Sequence, residues 1–191
     1  MTNRGGKVRE VYISVDIEAA GPVPCTFSML SLGAVVVDDP KKTFYVELKP
    51  ANDRFVPEAM KVVGRTLQDF AKDGREPKEA MTAFRDWLAS VATGMKLVFV
   101  GFNATFDWAF VNFYFHEYLG ENPFGFGGID IKSYYMGMSG CAWEDTRSSR
   151  IGSELKGPSP HTHNALEDAS EQAEMFKRMR EKARQLNRSR R

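Results

Sequence analysis

Asp16 and Glu18 close the run Val11-Tyr12-Ile13-Ser14-Val15-Asp16-Ile17-Glu18. Every second residue of it, from Val11 to Ile17, is β-branched and apolar, the period-two signature of a strand. The two carboxylates therefore share one face and converge at the strand's end, where mutual repulsion raises a pKa unless a cation lies between them. Oxygen donors of this kind suit a hard divalent ion, Mg2+ or Mn2+. Ala19, Ala20 and Gly21 follow and leave room for water and phosphate as the remaining ligands. An isolated Asp-x-Glu is more often a pair of solvated acids, so the metal reading depends on acids arriving from elsewhere.

Two further stretches supply them. Gly101-Phe102-Asn103-Ala104-Thr105-Phe106-Asp107 follows a short apolar strand, Lys96–Val100, and opens a helix with Asn103 and Thr105 as cap candidates. The helix dipole favours an acid such as Asp107 in a first turn whatever its use. Its place just beyond a strand's carboxyl end, however, is where α/β sheets gather ligands. In His161-Thr162-His163-Asn164-Ala165-Leu166-Glu167-Asp168, Asn164 with Glu167 reads as a capping box. Asp168 then falls in the first turn of the last helix, and His163, five residues earlier, is a base in a loop, able to swing towards a substrate. His116, nine residues after Asp107, points to the opposite side of its helix.

The elements between these stretches must position them. Met29–Val37 fits a strand buried on both faces, Asp38–Lys41 a turn, and Thr43–Leu48 a third strand, giving a hairpin beside the first. Pro57 opens a short helix closed by Gly64, and Thr66–Lys72 forms another. A longer helix starts at Pro77, with Ala80, Phe84, Trp87, Leu88 and Val91 on one face against the sheet. The helix after Asn103 runs to about Tyr118. Ile129-Asp130-Ile131 reads as an edge strand, and residues 139–160 as a long polar loop whose Arg147, Arg150 and Lys156 steer a phosphate backbone or are scattered surface charges. Strand, hairpin, helix, strand, helix describes an α/β layer fold with a mixed sheet.

Composition excludes several classes. Hydrophobic and charged residues make up 42% and 27%, ordinary for one globular domain. No apolar run approaches the ~20 residues of a membrane span, and residues 1–6 carry no signal-type segment. The expectation is a cytoplasmic protein without membrane contact. Cys25 and Cys141 have neither zinc-site nor disulfide-framework spacing. Net charge is +1, yet the last fifteen residues hold eight Lys or Arg against one acid, leaving the body with 18 basic and 24 acidic residues. Such a tail attracts nucleic acid without sequence preference, or is merely a frayed helix end. Residues 7–183 are read as one domain and 184–191 as a basic, disordered tail.

Taken together, Asp16-x-Glu18, Asn103-x-x-Phe106-Asp107 and His163-x-x-x-x-Asp168 resemble the three motifs of the DEDDh, or DnaQ-like, 3'-5' exonucleases, nearest in character to stand-alone RNase T and oligoribonuclease types. The resemblance implies a ribonuclease H-like three-layer fold with a five-stranded mixed sheet and two divalent cations. It also implies hydrolysis from the 3' ends of single-stranded RNA or DNA to nucleoside 5'-monophosphates, RNA favoured on compact length, and a homodimer in some members. By it Asp16, Glu18 and Asp168 ligate the catalytic metal, Asp16 bridges to the second, and Asp107 acts directly or through water. Ile17, Ala19, Glu58 and Asn103 contact substrate. Val62 stands where RNase T-like members carry an aromatic, so stacking on a base falls to Phe27, Phe102, Phe106 or Trp143. The chemistry agrees with these roles. Two metals activate water and relieve the leaving oxygen, while neutral His163 takes the proton. The rival readings are a ribonuclease H-type endonuclease, which lacks the His-x-x-x-x-Asp pair, and a nucleic-acid-binding module without turnover.

Overall fold

In the computed structural model, which describes residues 8–156 and 163–189, five strands form a mixed sheet of order β3-β2-β1-β4-β5. The strands are β1 Glu10–Ala19, β2 Met29–Val36, β3 Asp39–Glu47, β4 Lys96–Gly101 and β5 Gly128–Asp130. β1 is antiparallel to β2 and parallel to β4, and β5 continues parallel to β4. The hairpin turn is tighter than the sequence implies, because β3 begins at Asp39 and takes in Pro40. An edge strand tolerates a residue that cannot donate to the ladder.

Among the described residues six α-helices flank the sheet: α1 Pro57–Val63, α2 Leu67–Asp73, α3 Pro77–Val91, α4 Thr105–Leu119, α5 Ile131–Ser139 and α6 Ala165–Ser189. Val11, Ile13, Val15 and Ile17 of β1 pack against α3 and α4, with Phe84, Leu88, Phe110 and Phe115 fully buried between the layers. Burial of each such side chain contributes about 1.5–3 kcal/mol. The alternate residues of β1, Tyr12 to Glu18, face α6, where Val35, Val100, Ala169 and Phe176 make a second core. The period-two pattern of β1 thus sends its apolar residues to one layer and its acids to the other. α1 and α2 cap the far end of β1 around Ala20, Leu30 and Phe70. Among the described residues no helix is long and apolar enough to cross a membrane.

Three stretches differ from the sequence reading. Ile131 opens a helix rather than ending a strand, because the Asp130 carboxylate accepts from the Ser133 N–H and caps it. Residues 143–155 are not an open loop. Three short 3-10 turns bury Thr146, Ile151 and Leu155 there. The expected disordered tail is helical as far as described, since α6 continues through Ser189 with Arg184 and Arg188 exposed.

One close approach seats α6. Gly33 lies opposite Asp16 in the β1–β2 ladder, and a Cβ there would sit 2.3 Å from the backbone of Ala165 and Leu166. Only glycine lets the first turn of α6 lie against the sheet at this point. Gly33→Ala is expected to destabilise the fold by about 1–3 kcal/mol through overpacking against backbone that cannot yield. Urea unfolding followed by circular dichroism checks this, and an unchanged midpoint would mean that α6 does not depend on the approach.

Candidate active site

β1 carries Asp16 and Glu18 to the sheet's rim, and each partner acid arrives by its own device. Asp107 lies in the first turn of α4 and is buried. Its Oδ1 accepts the Ile17 N–H at 3.0 Å, between the two acids of β1. The turn before α4 is not capped by its own residues. Asn103 takes a left-handed backbone with φ 64°, which Asn tolerates better than most residues. The N-cap is Ala104, without a side-chain bond of its own. Instead the Ala104 N–H donates to Asp130 Oδ2 at 2.8 Å, so the cap expected of Asn103 or Thr105 comes from the end of β5. Asp130 thereby ties the heads of α4 and α5 together.

Asp168 is buried in the first turn of α6. The Asn164 side chain accepts from the Leu166 and Glu167 N–H groups, at 3.1 and 3.2 Å, as a capping residue should. His163 precedes it, exposed, with φ 56°. Glu18, His163 and Asp168 each present a ligand atom within 4.8 Å of the others. His116 is exposed on α4, and His161 lies outside the described residues.

The cluster is electrostatically loaded. Desolvation in the cleft, then the carboxylates of Asp107, Asp168 and Glu18, push Asp16 well above the usual carboxylate range, while the Gln172 amide opposes the shift. Burial and then Asp168 push Glu18 up to about 7. Burial pushes Asp107 up to about 8, with Glu18 adding and the Ile17 N–H opposing. Such a set favours a cation at its centre.

Gln172, not singled out in the sequence, holds the group together. Buried one turn beyond Asp168, it donates Nε2–H to Asp16 Oδ1 at 2.6 Å and accepts the Phe102 N–H on Oε1 at 2.8 Å. It joins α6, β1 and the turn before α4. The signal available was its spacing: a residue four after Asp168 shares the acid's helix face.

The residues read as substrate contacts are dispersed around this centre. Ile17 has its side chain in the core and its N–H on Asp107, and the Ala19 side chain is also buried, at a bulge in β1. Glu58 is exposed in the first turn of α1, the helix packed at the end of β1. Asn103 forms the turn beside Asp107.

A sheet of this order with an acid cluster on this rim is the ribonuclease H-like architecture of the DEDDh exonucleases. The chain belongs to the exonuclease family typified by RNase T, whose model matches residues 13–176. It is 48% identical over 170 residues to the 3'-5' DNA exonuclease Cap18 of Escherichia coli, covering 88% of this chain and 91% of that protein. The fold matches the nuclease domain of 3'hExo, a DEDDh family member solved with rAMP, at TM-score 0.73 and 16% identity over 93% of this chain and 94% of the other. It also matches E. coli Exonuclease I in complex with a dT13 oligonucleotide, at TM-score 0.70 and 18% identity, over 95% of this chain and 43% of the other. Family membership makes the chain a nucleic-acid exonuclease and implies divalent metal ions.

Replacing a partner that orients a metal-binding carboxylate costs 10–100-fold in metal affinity or activity. Gln172→Ala is therefore expected to raise the Mg2+ concentration for half-maximal nuclease activity about ten-fold or more. An unchanged Mg2+ requirement in a titration would show that Gln172 only fills space.

Proposed function

We propose that the protein is a 3'-5' exonuclease that removes nucleoside 5'-monophosphates from single-stranded DNA. The observation that carries the reading is the convergence of Asp16, Glu18, Asp107 and Asp168 with His163 at one rim of the sheet. Polarity and DNA as substrate are supported by the relative at 48% identity, which is named a 3'-5' DNA exonuclease. That likeness outweighs the lean towards RNA drawn from chain length. Single strands are supported by burial: Asp107 and Asp168 are recessed, and an unpaired terminus can carry its phosphate down to them.

The donor set fits divalent cations, which Asp16, Glu18 and Asp168 would hold, with Asp107 contributing directly or through water. Bound there, Mg2+ or Mn2+ supplies the Lewis acidity that activates water and stabilises charge on the leaving oxygen. The chain's own groups do the rest. The Ile17 N–H fixes the Asp107 carboxylate and Gln172 fixes Asp16, so the acids are set before substrate arrives. Ala19 and Asn103 bracket the rim and Glu58 stands on its α1 side, where these residues and the Ile17 backbone meet the terminal nucleotide. Neutral His163 accepts the proton from the attacking water on an imidazole nitrogen. The bond from phosphorus to the 3'-oxygen of the shortened chain then breaks. Its nearness to Glu18 and Asp168 also admits His163 as a ligand, but exposure at the lip, one residue before the helix cap, favours the base.

Two assays test this reading. On matched 5'-labelled single-stranded DNA and RNA with Mg2+, DNA is expected to shorten stepwise from its 3' end and RNA more slowly, with no product in excess EDTA. Faster RNA trimming would overturn the choice of DNA. Asp16→Asn is expected to abolish turnover, and His163→Ala to lower kcat by two to four powers of ten, on the order expected for a general base, at an unchanged Mg2+ requirement. A raised Mg2+ requirement in His163→Ala would make the histidine a ligand instead.

A further inference from the structure

The four aromatic candidates for stacking on a base differ in what surrounds them. The Phe27 ring lies where a Cβ on Gly21 would be, 2.5 Å from its Cγ, and packs on the cluster of Ala20, Leu30 and Phe70. Phe106 lies against Phe110 with ring centroids 5.2 Å apart. Phe102 packs into the core beneath α5 and α6. Trp143, in contrast, is 48% exposed, and the Lys132 ammonium stands 4.1 Å from its ring centroid. The Lys132 ammonium covers part of the ring, and about half of the residue's surface stays open to solvent.

The pair stands on the rim that carries the acids. β5 ends at Asp130, whose Oδ2 holds the Ala104 N–H at the head of α4, one turn before Asp107. Lys132 lies in the first turn of α5 immediately after, and Trp143 packs back onto it. α1, with Glu58, occupies the other side of the acids, where the Val56 N–H binds the Ala20 carbonyl.

Charge distinguishes Lys132 from its basic neighbours. Arg147 pairs with Glu144, and Arg150 with Asp145 at 2.8 Å, so both cations have carboxylate partners a few residues away. Lys132 has no carboxylate partner among the described residues. A half-buried ammonium on an indole face, without a counter-ion, matches a phosphate. A solvent-exposed indole matches any base, since every base has a π-face.

We propose that Trp143 and Lys132 bind a nucleotide upstream of the scissile bond, with the base stacked on the indole and its phosphate against the ammonium. This rests on the exonuclease reading of the neighbouring acids and adds a second, sequence-tolerant contact on the β5 side of the cleft. It holds the strand while the terminal nucleotide is cut.

The test has a binding arm and a kinetic arm. In EDTA, where no turnover occurs, titrating a single-stranded DNA of about twelve nucleotides is expected to quench tryptophan fluorescence, and Trp143→Phe should lose most of that quenching. Stacking on an aromatic ring is worth about 1–3 kcal/mol, so Trp143→Ala is expected to raise KM for the oligonucleotide about 5- to 150-fold, with kcat within about two-fold. Trp143→Phe should recover part of the loss. Lys132→Ala should lower the slope of log affinity against log salt by about 0.7, the share of one phosphate on a single strand. Equal quenching in wild type and Trp143→Phe, or a KM unchanged in Trp143→Ala, would overturn the inference. The quenching arm decides it even for a protein without nuclease activity, so its failure is separable from failure of the exonuclease reading.

Discussion

Repulsion among carboxylates is the constraint that the rest of the structure answers. Asp16 faces Asp107, Asp168 and Glu18, and burial first, then these neighbouring carboxylates, shift Asp16, Glu18 and Asp107 upwards. A fold gains nothing from such a cluster on its own. In the metal-free protein the raised values mean that folding favours the protonated acids. Their contribution to stability is complete below the ordinary values of 3.8 and 4.5, and is lost as pH rises through about 7 for Glu18 and about 8 for Asp107. The opposing bonds are few and specific: the Ile17 N–H on Asp107 and the Gln172 amide on Asp16. The arrangement is an expenditure of stability on a site.

Holding three chain segments against that repulsion takes rigid scaffolding. β1 is buried between its neighbours with α3 and α4 behind it. α6 is pinned to β2 where Gly33 lets backbone meet backbone. The head of α4 is held by Asp130 from β5. Gln172 then closes the circuit between α6, β1 and the turn at Phe102. Each device sits within a residue or a helical turn of an acid it positions, apart from Asp130, which acts through the Ala104 N–H.

Much of the architecture was legible because it rests on local signals. Alternation in residues 11–18 marks β1 and its acidic face, and helical spacing marks α3. Asn164 caps α6 as its position implies. Proximity of the acids also follows, since each stands at a strand end or a helix start of one layer. What was not legible depends on contacts across the fold. The cap of α4 comes from a residue 26 positions later, and α5 is started by that same carboxylate. Gln172 is an ordinary polar residue until α6 is laid on β1. The stretch after Ser139 reads as a polar loop because its buried residues, Thr146, Ile151 and Leu155, are too sparse to show a period. Arg147 and Arg150 are paired with nearby acids, Glu144 and Asp145, which composition alone does not reveal.

As proposed, these acids form one metal-binding unit that holds protons until a cation displaces them. Metal binds the deprotonated carboxylates, so its binding must release the protons that the raised values retain at neutral pH. Calorimetric titration of Mg2+ into the metal-free protein, in two buffers of different ionisation enthalpy, measures that release. At pH 7 release of about one proton or more per protein is expected, falling towards zero well above pH 8, with Mg2+ affinity rising over the same interval. Binding at pH 7 without proton release, or an affinity independent of pH, would contradict it.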